Sequence, residues 1–342
     1  MSRFDKIIDR RNTQSYKWNV AENELPMWVA DMDFQTAPEI IDVIKKRAEH
    51  GIFGYTVVPE DWYDAYINWW DRRHGLKIEK DWLIFCTGVI PAISSTVRKL
   101  TTPAENVIVI TPAYHIFFNS IYNNGRNIVE CELQYQDGKY ELDFDDLEEK
   151  CSDPQSTLLI LCNPHNPTGI IWTREQLARI GEICEKHNVI VLSDEIHCDI
   201  TLPDTEYTPF AKASSVCEQI SVTCISPTKT FNIAGIQTSA VCIPNDIIRH
   251  KVWRALNTDE VAEGNVFAVD AAIAAFVYGE NWLDELREYL ADNRFYAEEY
   301  ISSNISDLMV IKGQATYLMW IDCSRLGIQS DLLAEMIREK TV

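Results

Sequence analysis

Short apolar runs recur between residues 83 and 225, and each stops abruptly: 83–86, 107–110, 158–162, 189–192 and 220–225. They are rich in Val, Ile, Leu and Cys, and their length is that of a strand rather than a helix. Helix-like stretches separate them; residues 174–187 form one, with Thr173 as its N-cap ahead of Arg174, Glu175 and Gln176. Apolar strands that alternate with helices build a mainly parallel sheet covered on both faces. Ligands of such sheets bind beyond the carboxyl ends of the strands. The residues that follow each run are therefore the ones to read for function.

After 220–225 comes Ser226-Pro227-Thr228-Lys229-Thr230-Phe231-Asn232. Most lysines are solvated surface groups. At a strand end, Lys229 is a cation for an anion or an amine for a carbonyl, and a partly dry pocket would lower its pKa and permit a Schiff base. After 158–162 comes Asn163-Pro164-His165-Asn166-Pro167-Thr168-Gly169, whose Asn-Pro steps and Thr-Gly force a turn. That loop either merely reverses the chain or holds Asn166 rigidly to donate to a ligand oxygen. The 189–192 run continues into Ser193-Asp194-Glu195-Ile196-His197. Asp194 is a helix cap or surface acid, or a partly buried carboxylate that needs a cation such as a protonated pyridine nitrogen. After 83–86, Thr87-Gly88-Val89-Ile90-Pro91 opens a helix, and the free amides of Gly88, Val89 and Ile90 suit a phosphate.

The order glycine turn, N-P-x-N-P-T-G, D-E-x-H, S-P-x-K resembles the fold-type-I pyridoxal-phosphate (PLP) enzymes of the class I/II aminotransferase superfamily. Three further segments resemble its cystathionine β-lyase (cysteine C–S lyase) branch, the MalY/PatB type. They are Leu25-Pro26-Met27-Trp28-Val29-Ala30-Asp31-Met32-Asp33-Phe34, Gly51-Ile52-Phe53-Gly54-Tyr55-Thr56 and Pro112-Ala113-Tyr114. His197 points to the same branch, because aminotransferases usually carry Tyr there; it is a structural histidine or a cofactor contact. The resemblance runs from end to end of the chain.

It implies an α/β fold of the aspartate aminotransferase type, with residues 1–45 as an N-terminal segment contributing to the active site and small domain. Residues 46–280 would be the large PLP-binding domain and residues 281–342 a smaller α+β C-terminal domain. By the same resemblance Lys229 carries the cofactor as a Schiff base and, once freed, moves the substrate's α-proton. Asp194 pairs with the pyridinium nitrogen so that the ring acts as an electron sink. Asn166 bonds the phenolic oxygen, and Tyr114 stacks on the ring. Gly88, Val89, Ile90 and Ser226 hold the phosphate. Tyr55 reaches that phosphate from the partner subunit, which implies a homodimer with a shared site. The implied reaction is β-elimination from cystathionine or a cysteine S-conjugate, giving a thiol, pyruvate and ammonia, with the Lys229 ammonium or Tyr114 protonating the sulfur. The alternatives are a PLP-dependent aminotransferase and a PLP-binding regulatory protein with little turnover.

The resemblance implies a small-molecule amino-acid substrate, and composition agrees with a soluble enzyme. A formal charge of −21 argues against nucleic-acid and anionic-membrane partners, and 46% hydrophobic residues suffice for a sizeable core. Ten cysteines without a C-x-x-C suit a reducing cytosol. Cys86, Cys162 and Cys224 fall inside apolar runs and read as core thiols. The polar start, with no signal peptide, and the lack of any apolar run near the roughly 18 residues of a membrane span place the chain in the cytoplasm.

Trp62, Tyr63, Tyr66, Trp69 and Trp70 fall at helical spacing and read as packing. Residues 282–303 read as a long helix, 310–323 as strand-like alternation and 330–339 as a helix, with Lys340, Thr341 and Val342 approaching another strand. The resemblance implies several dozen further residues, among them an arginine that clamps the substrate carboxylate. The small domain is thus expected to be incomplete, and no residue here takes that clamp.

Overall fold

A computed structural model describes residues 2–340, and in it the apolar runs pair edge to edge. In chain order the strands are β1 (Leu83–Cys86), β2 (Asn106–Thr111), β3 (Asn127–Glu132), the hairpin β4 (Gln134–Gln136) and β5 (Lys139–Glu141), β6 (Ser156–Cys162), β7 (Ile190–Asp194), β8 (Ser221–Ile225) and β9 (Ser239–Cys242). Seven of them form one sheet in the order β1-β9-β8-β7-β6-β2-β3. The β3, β2, β6, β7 and β8 strands run parallel; β9 is antiparallel to both β8 and β1. The carboxyl ends of β1, β2, β6, β7 and β8 therefore share one edge.

Both faces of the sheet are closed, and the period-2 alternation of its strands divides the core. Val107, Val109, Leu158 and Ile160 pack under helices Val89–Leu100 and Asp246–Thr258 through Ile93, Val97 and Leu256. Ile108, Ile110, Leu159 and Leu161 pack under helices Phe144–Ser152 and Arg174–Lys186 through Leu147, Leu177 and Ile180. Each such buried side chain is worth about 1.5–3 kcal/mol. Thr173 caps helix Arg174–Lys186 reciprocally with Gln176, at 3.2 and 2.9 Å. Nine of the ten cysteines are buried and all are free.

A third core lies beside the sheet. Helix Glu60–Trp69 points Trp62, Ala65, Tyr66 and Trp69 inward, where they meet Phe231, Phe276 and Trp282. The aromatic cluster is packing, as its spacing predicts. Helix Pro38–His50 runs through position 45, where the sequence reading ended the N-terminal segment. Its Ile40 is buried in the same core, and Val43 and Ile44 pack against it.

Helix Glu280–Asn304 leads to the small C-terminal elements. The expected strand at 310–323 is reduced to a ribbon of β10 (Met309–Val310) and β11 (Ile321–Asp322). The reason is Arg294, which is buried and donates to the carbonyls of Gly313 (3.0 Å), Ala315 (3.4 Å), Thr316 (3.2 Å) and Leu318 (2.8 Å). Those carbonyls face a guanidinium rather than a neighbouring strand. Helix Ser330–Lys340 forms as expected; Thr341 and Val342, part of the expected next strand, lie outside the described residues. Among the described residues no helix is long and apolar enough to cross a membrane.

The loop after β10 is also pressed against the N-P-x-N-P-T-G turn. Gln314 and Ala315 both donate their amides to the Gly169 carbonyl, at 2.7 and 3.1 Å. Gly169 has φ +74°, and a Cβ there would sit 2.8 Å from the Ala315 oxygen. A Cβ on Gly313 would sit 2.7 Å from the Thr168 oxygen and 3.1 Å from the Gly169 Cα. Backbone cannot yield as a flexible side chain can, so Gly313→Ala should cost about 1–3 kcal/mol. The expected result is a lower urea midpoint at unchanged slope; an unchanged midpoint would show that the two loops are not in contact.

Candidate active site

The loops that follow β1, β2, β6, β7 and β8 meet at the shared carboxyl edge of the sheet. Lys229 stands in the single helical turn Pro227–Thr230 directly after β8. Its Nζ donates to the Ala30 carbonyl at 2.6 Å. Burial lowers the Lys229 pKa, against the pull of Asp31 and Asp194, which favour the ammonium. The amine is thus more readily neutral than a surface lysine.

The segment over the lysine, residues 28–34, is strapped down. Asn232 accepts from the Met32 amide at 3.1 Å and donates to the carbonyls of Met32 and Phe34, both at 2.8 Å. Arg10 grips Asp31 bidentately at 2.8 and 2.9 Å and reaches Asp33 at 2.7 Å. Lys17 bonds Asp33 at 2.7 Å and the Asp31 carbonyl at 2.9 Å. Burial works against ionised Asp33, but the bonds from Lys17, Trp18 and Arg10 outweigh it and hold its pKa down. The resemblance put this segment in an N-terminal stretch contributing to the active site, without a role for any one of its residues.

Asp194 ends β7 with its carboxylate buried, and its one hydrogen bond among the described residues comes from the Ile196 amide at 3.1 Å. Burial lifts its pKa to about 6, against that bond and the charge of Lys229. It is a buried acid without a cation on it. Glu195 is treated differently: Ser193 (2.8 Å), the Phe210 amide (2.8 Å), Asn163 (3.4 Å) and the Tyr207 hydroxyl all donate to it. His197 is buried, and burial, with Lys229 close by, lowers its pKa to about 3, so the ring is neutral and its Nδ1 has no partner. Tyr114 is 36% exposed, and burial, with the charge of Asp194, raises its pKa. Tyr317 joins the group: its hydroxyl donates to the Ala30 carbonyl at 2.9 Å, and its ring meets His197 edge-on at 5.9 Å.

The two asparagines of the turn after β6 do different work. Asn163 is fully buried and bonds the Thr208 carbonyl at 3.0 Å, while its amide donates to the Asp194 carbonyl at 2.9 Å. Asn166 is half-buried and its side chain has no partner among the described residues. Gly88 caps helix Val89–Leu100 in extended backbone, and its carbonyl closes that helix's first turn by accepting from Ala92 at 3.1 Å. The amides of Gly88, Val89 and Ile90 are those that such a helix start leaves free.

Two assigned residues stand apart. The Ser226 hydroxyl is buried, donates to the Thr238 carbonyl at 2.7 Å and accepts from the Thr228 amide at 3.1 Å. It is spent on capping its own turn. Tyr55 is fully exposed and without a side-chain partner among the described residues.

The remaining set fits pyridoxal phosphate: an amine of lowered pKa for the aldehyde, a buried carboxylate lacking a cation for the pyridinium, an unengaged amide, and free helix-start amides for the phosphate. The sequence pattern of the family "aminotransferase class I and II" matches residues 21–342. Cystathionine β-lyase PatB of Bacillus subtilis is 43% identical over 98% of this chain and 89% of its own length. Protein MalY of Escherichia coli is 32% identical over 98% and 88%. Among solved structures, cystalysin of Treponema denticola, which contains pyridoxal 5′-phosphate, superposes with a TM-score of 0.94 at 33% identity, covering 97% of this chain and 86% of that one. The PLP-bound C–S lyase of Staphylococcus hominis, complexed with L-cycloserine, gives 0.92 at 33% identity over 99% and 88%. With these likenesses spanning nearly the whole chain, and the lysine, acid and helix start in register at one sheet edge, the protein belongs to the aminotransferase class I and II family, in its cystathionine β-lyase branch.

Proposed function

We propose that this protein is a PLP-dependent cysteine-S-conjugate β-lyase that converts cystathionine or a related conjugate to a thiol, pyruvate and ammonia. The observation that carries this reading is a desolvated lysine amine facing a fully buried aspartate that lacks a cation. When bound, the cofactor supplies a sink for the electron pair left at the substrate's Cα. Asp194 holds a proton on the pyridine nitrogen, which sustains that sink. Asn166 would donate its free amide to the phenolic oxygen, and Tyr114 would cover the ring face. The amides of Gly88, Val89 and Ile90 take the phosphate. Ser226 fixes the turn that carries Lys229, and neutral His197 stands near the same lysine.

Lys229, neutral once freed, removes the Cα proton and becomes an ammonium. The Cβ–S bond then breaks with its electron pair leaving on sulfur. Lys229 returns a proton to that sulfur, with the Tyr114 hydroxyl as a second donor. The three-carbon enamine left behind takes up water to give pyruvate and ammonia. We also read the protein as a cytoplasmic homodimer in which Tyr55 completes the partner's phosphate site. The exposed Ile52, Phe53, Tyr55 and Val57 support a covered surface there, and ten unpaired cysteines suit a reducing compartment.

Mixing the protein with pyridoxal phosphate should give a visible absorption band that Lys229→Ala abolishes, and cystathionine should then yield pyruvate. Turnover in Lys229→Ala should fall about 10²–10⁴-fold. Amino transfer to a 2-oxo acid without pyruvate would replace the lyase reading by an aminotransferase, and a band with neither activity by a regulatory protein.

Asp194 also predicts a pH-dependent stability. Its folded pKa, about 6, lies above the ordinary 3.8, so the cofactor-free fold favours the protonated form. That stabilisation is fully present below pH 3.8 and is lost as pH rises through about 6. At pH 8 the ionised group costs on the order of 2–3 kcal/mol. Asp194→Asn should therefore raise the Tm of the cofactor-free protein at pH 8 and leave it nearly unchanged at pH 4, while turnover collapses. An equal Tm change at both pH values would contradict the burial argument.

A further inference from the structure

Two side chains converge on one backbone oxygen at the site. The Ala30 carbonyl accepts from Lys229 Nζ at 2.6 Å and from the Tyr317 hydroxyl at 2.9 Å. A carbonyl oxygen has two lone pairs, so this one is fully used and its direction is set from both sides. Neither side is free to drift. The loop bearing Tyr317 is held by Arg294 and by the Gly169 carbonyl, and the strap bearing Ala30 by Asn232 and Arg10.

We propose that the Ala30 carbonyl, held by Tyr317, is the seat of the Lys229 amine whenever that amine is free, and that Tyr317 is a positioning residue for the lysine's proton transfers. The inference rests on the reading of Lys229 as the cofactor lysine. A lysine released from the aldehyde has four flexible bonds and must still meet the Cα proton and then the sulfur. A fixed acceptor confines its search. The same acceptor favours the ammonium, since a hydrogen bond to the charged form stabilises that form, and so opposes the burial that favours the neutral amine. Asp31 from the strap and Asp194 at the end of β7 also favour the ammonium. Neutral His197 and the un-ionised Tyr114 and Tyr317 complete the titratable groups facing the amine.

Tyr317→Phe keeps the ring against His197 and removes only the hydroxyl. The Ala30 carbonyl then has only the strap to set its tilt, the ammonium's acceptor is less closely fixed, and the Lys229 pKa falls. The experiment follows the visible band that grows when the amine condenses with the aldehyde of pyridoxal phosphate, with loss of water, in cofactor-free wild type and variant across pH. The cofactor's own ionisations are common to both proteins, so a difference in midpoint reports on the lysine. The expected midpoint in Tyr317→Phe is lower by about half a pH unit or more, with kcat down about tenfold and KM within about twofold. A midpoint equal to wild type overturns the proposal whatever kcat does. Absence of the band in wild type would instead overturn the reading of Lys229, which separates the two failures. Should Tyr317→Phe lose its fold by circular dichroism, Asn232→Ala frees the same strap from its other side. A lowered midpoint there supports the held carbonyl, and an unchanged one overturns it.

Discussion

Two adjacent buried carboxylates at the end of β7 receive opposite treatment, and the rest of the site is arranged around that difference. Glu195 is surrounded by donors from four directions and binds the β6 turn, through Asn163, to the start of helix Phe210–Ala213. Burial nevertheless raises its pKa, to about 7. Asp194 has one amide and nothing else. A low-dielectric surround makes a satisfied carboxylate a strong structural tie and an unsatisfied one a strong demand for a cation. The scaffold is thus anchored on one acid, and the neighbouring acid is left to a ligand.

The same contrast runs through the other loops of the sheet edge. The Asn163 side-chain amino group and the Ser226 hydroxyl donate to backbone carbonyls, whereas the Asn166 side chain and the amides of Gly88, Val89 and Ile90 do not. Polar groups spent internally set the geometry of those left open, which is why a site of few free groups needs so many occupied ones around it.

Much of this was legible from residue order. Strands buried on both faces must be apolar throughout, so β2, β6, β7 and β8 and the loops behind them were visible, and Thr173 as N-cap marked helix Arg174–Lys186. The edge strand β3, with Asn127, Glu130 and Glu132 open to solvent, and the four-residue β9 lacked that pattern. The alternation of Tyr317, Leu318, Met319, Trp320 and Ile321 pointed to a strand because nothing local shows that Arg294 draws the carbonyls away. Nor does sequence tell Asp194 from Glu195, or show that the Ser226 hydroxyl is already engaged. The contacts of the strap are not legible in sequence: its charges lie far along the chain from Lys229, and only folding joins them.

That distance has a consequence for synthesis. Lys229 and Tyr317 meet the Ala30 carbonyl across sequence separations of 199 and 287 residues. At about 5–20 residues per second, Ala30 is made roughly 15–60 s before Tyr317. Throughout that interval Ala30 and its neighbours have no completed site to cover. The Lys229 amine is therefore made with Ala30 already present and before the hydroxyl that shares its acceptor.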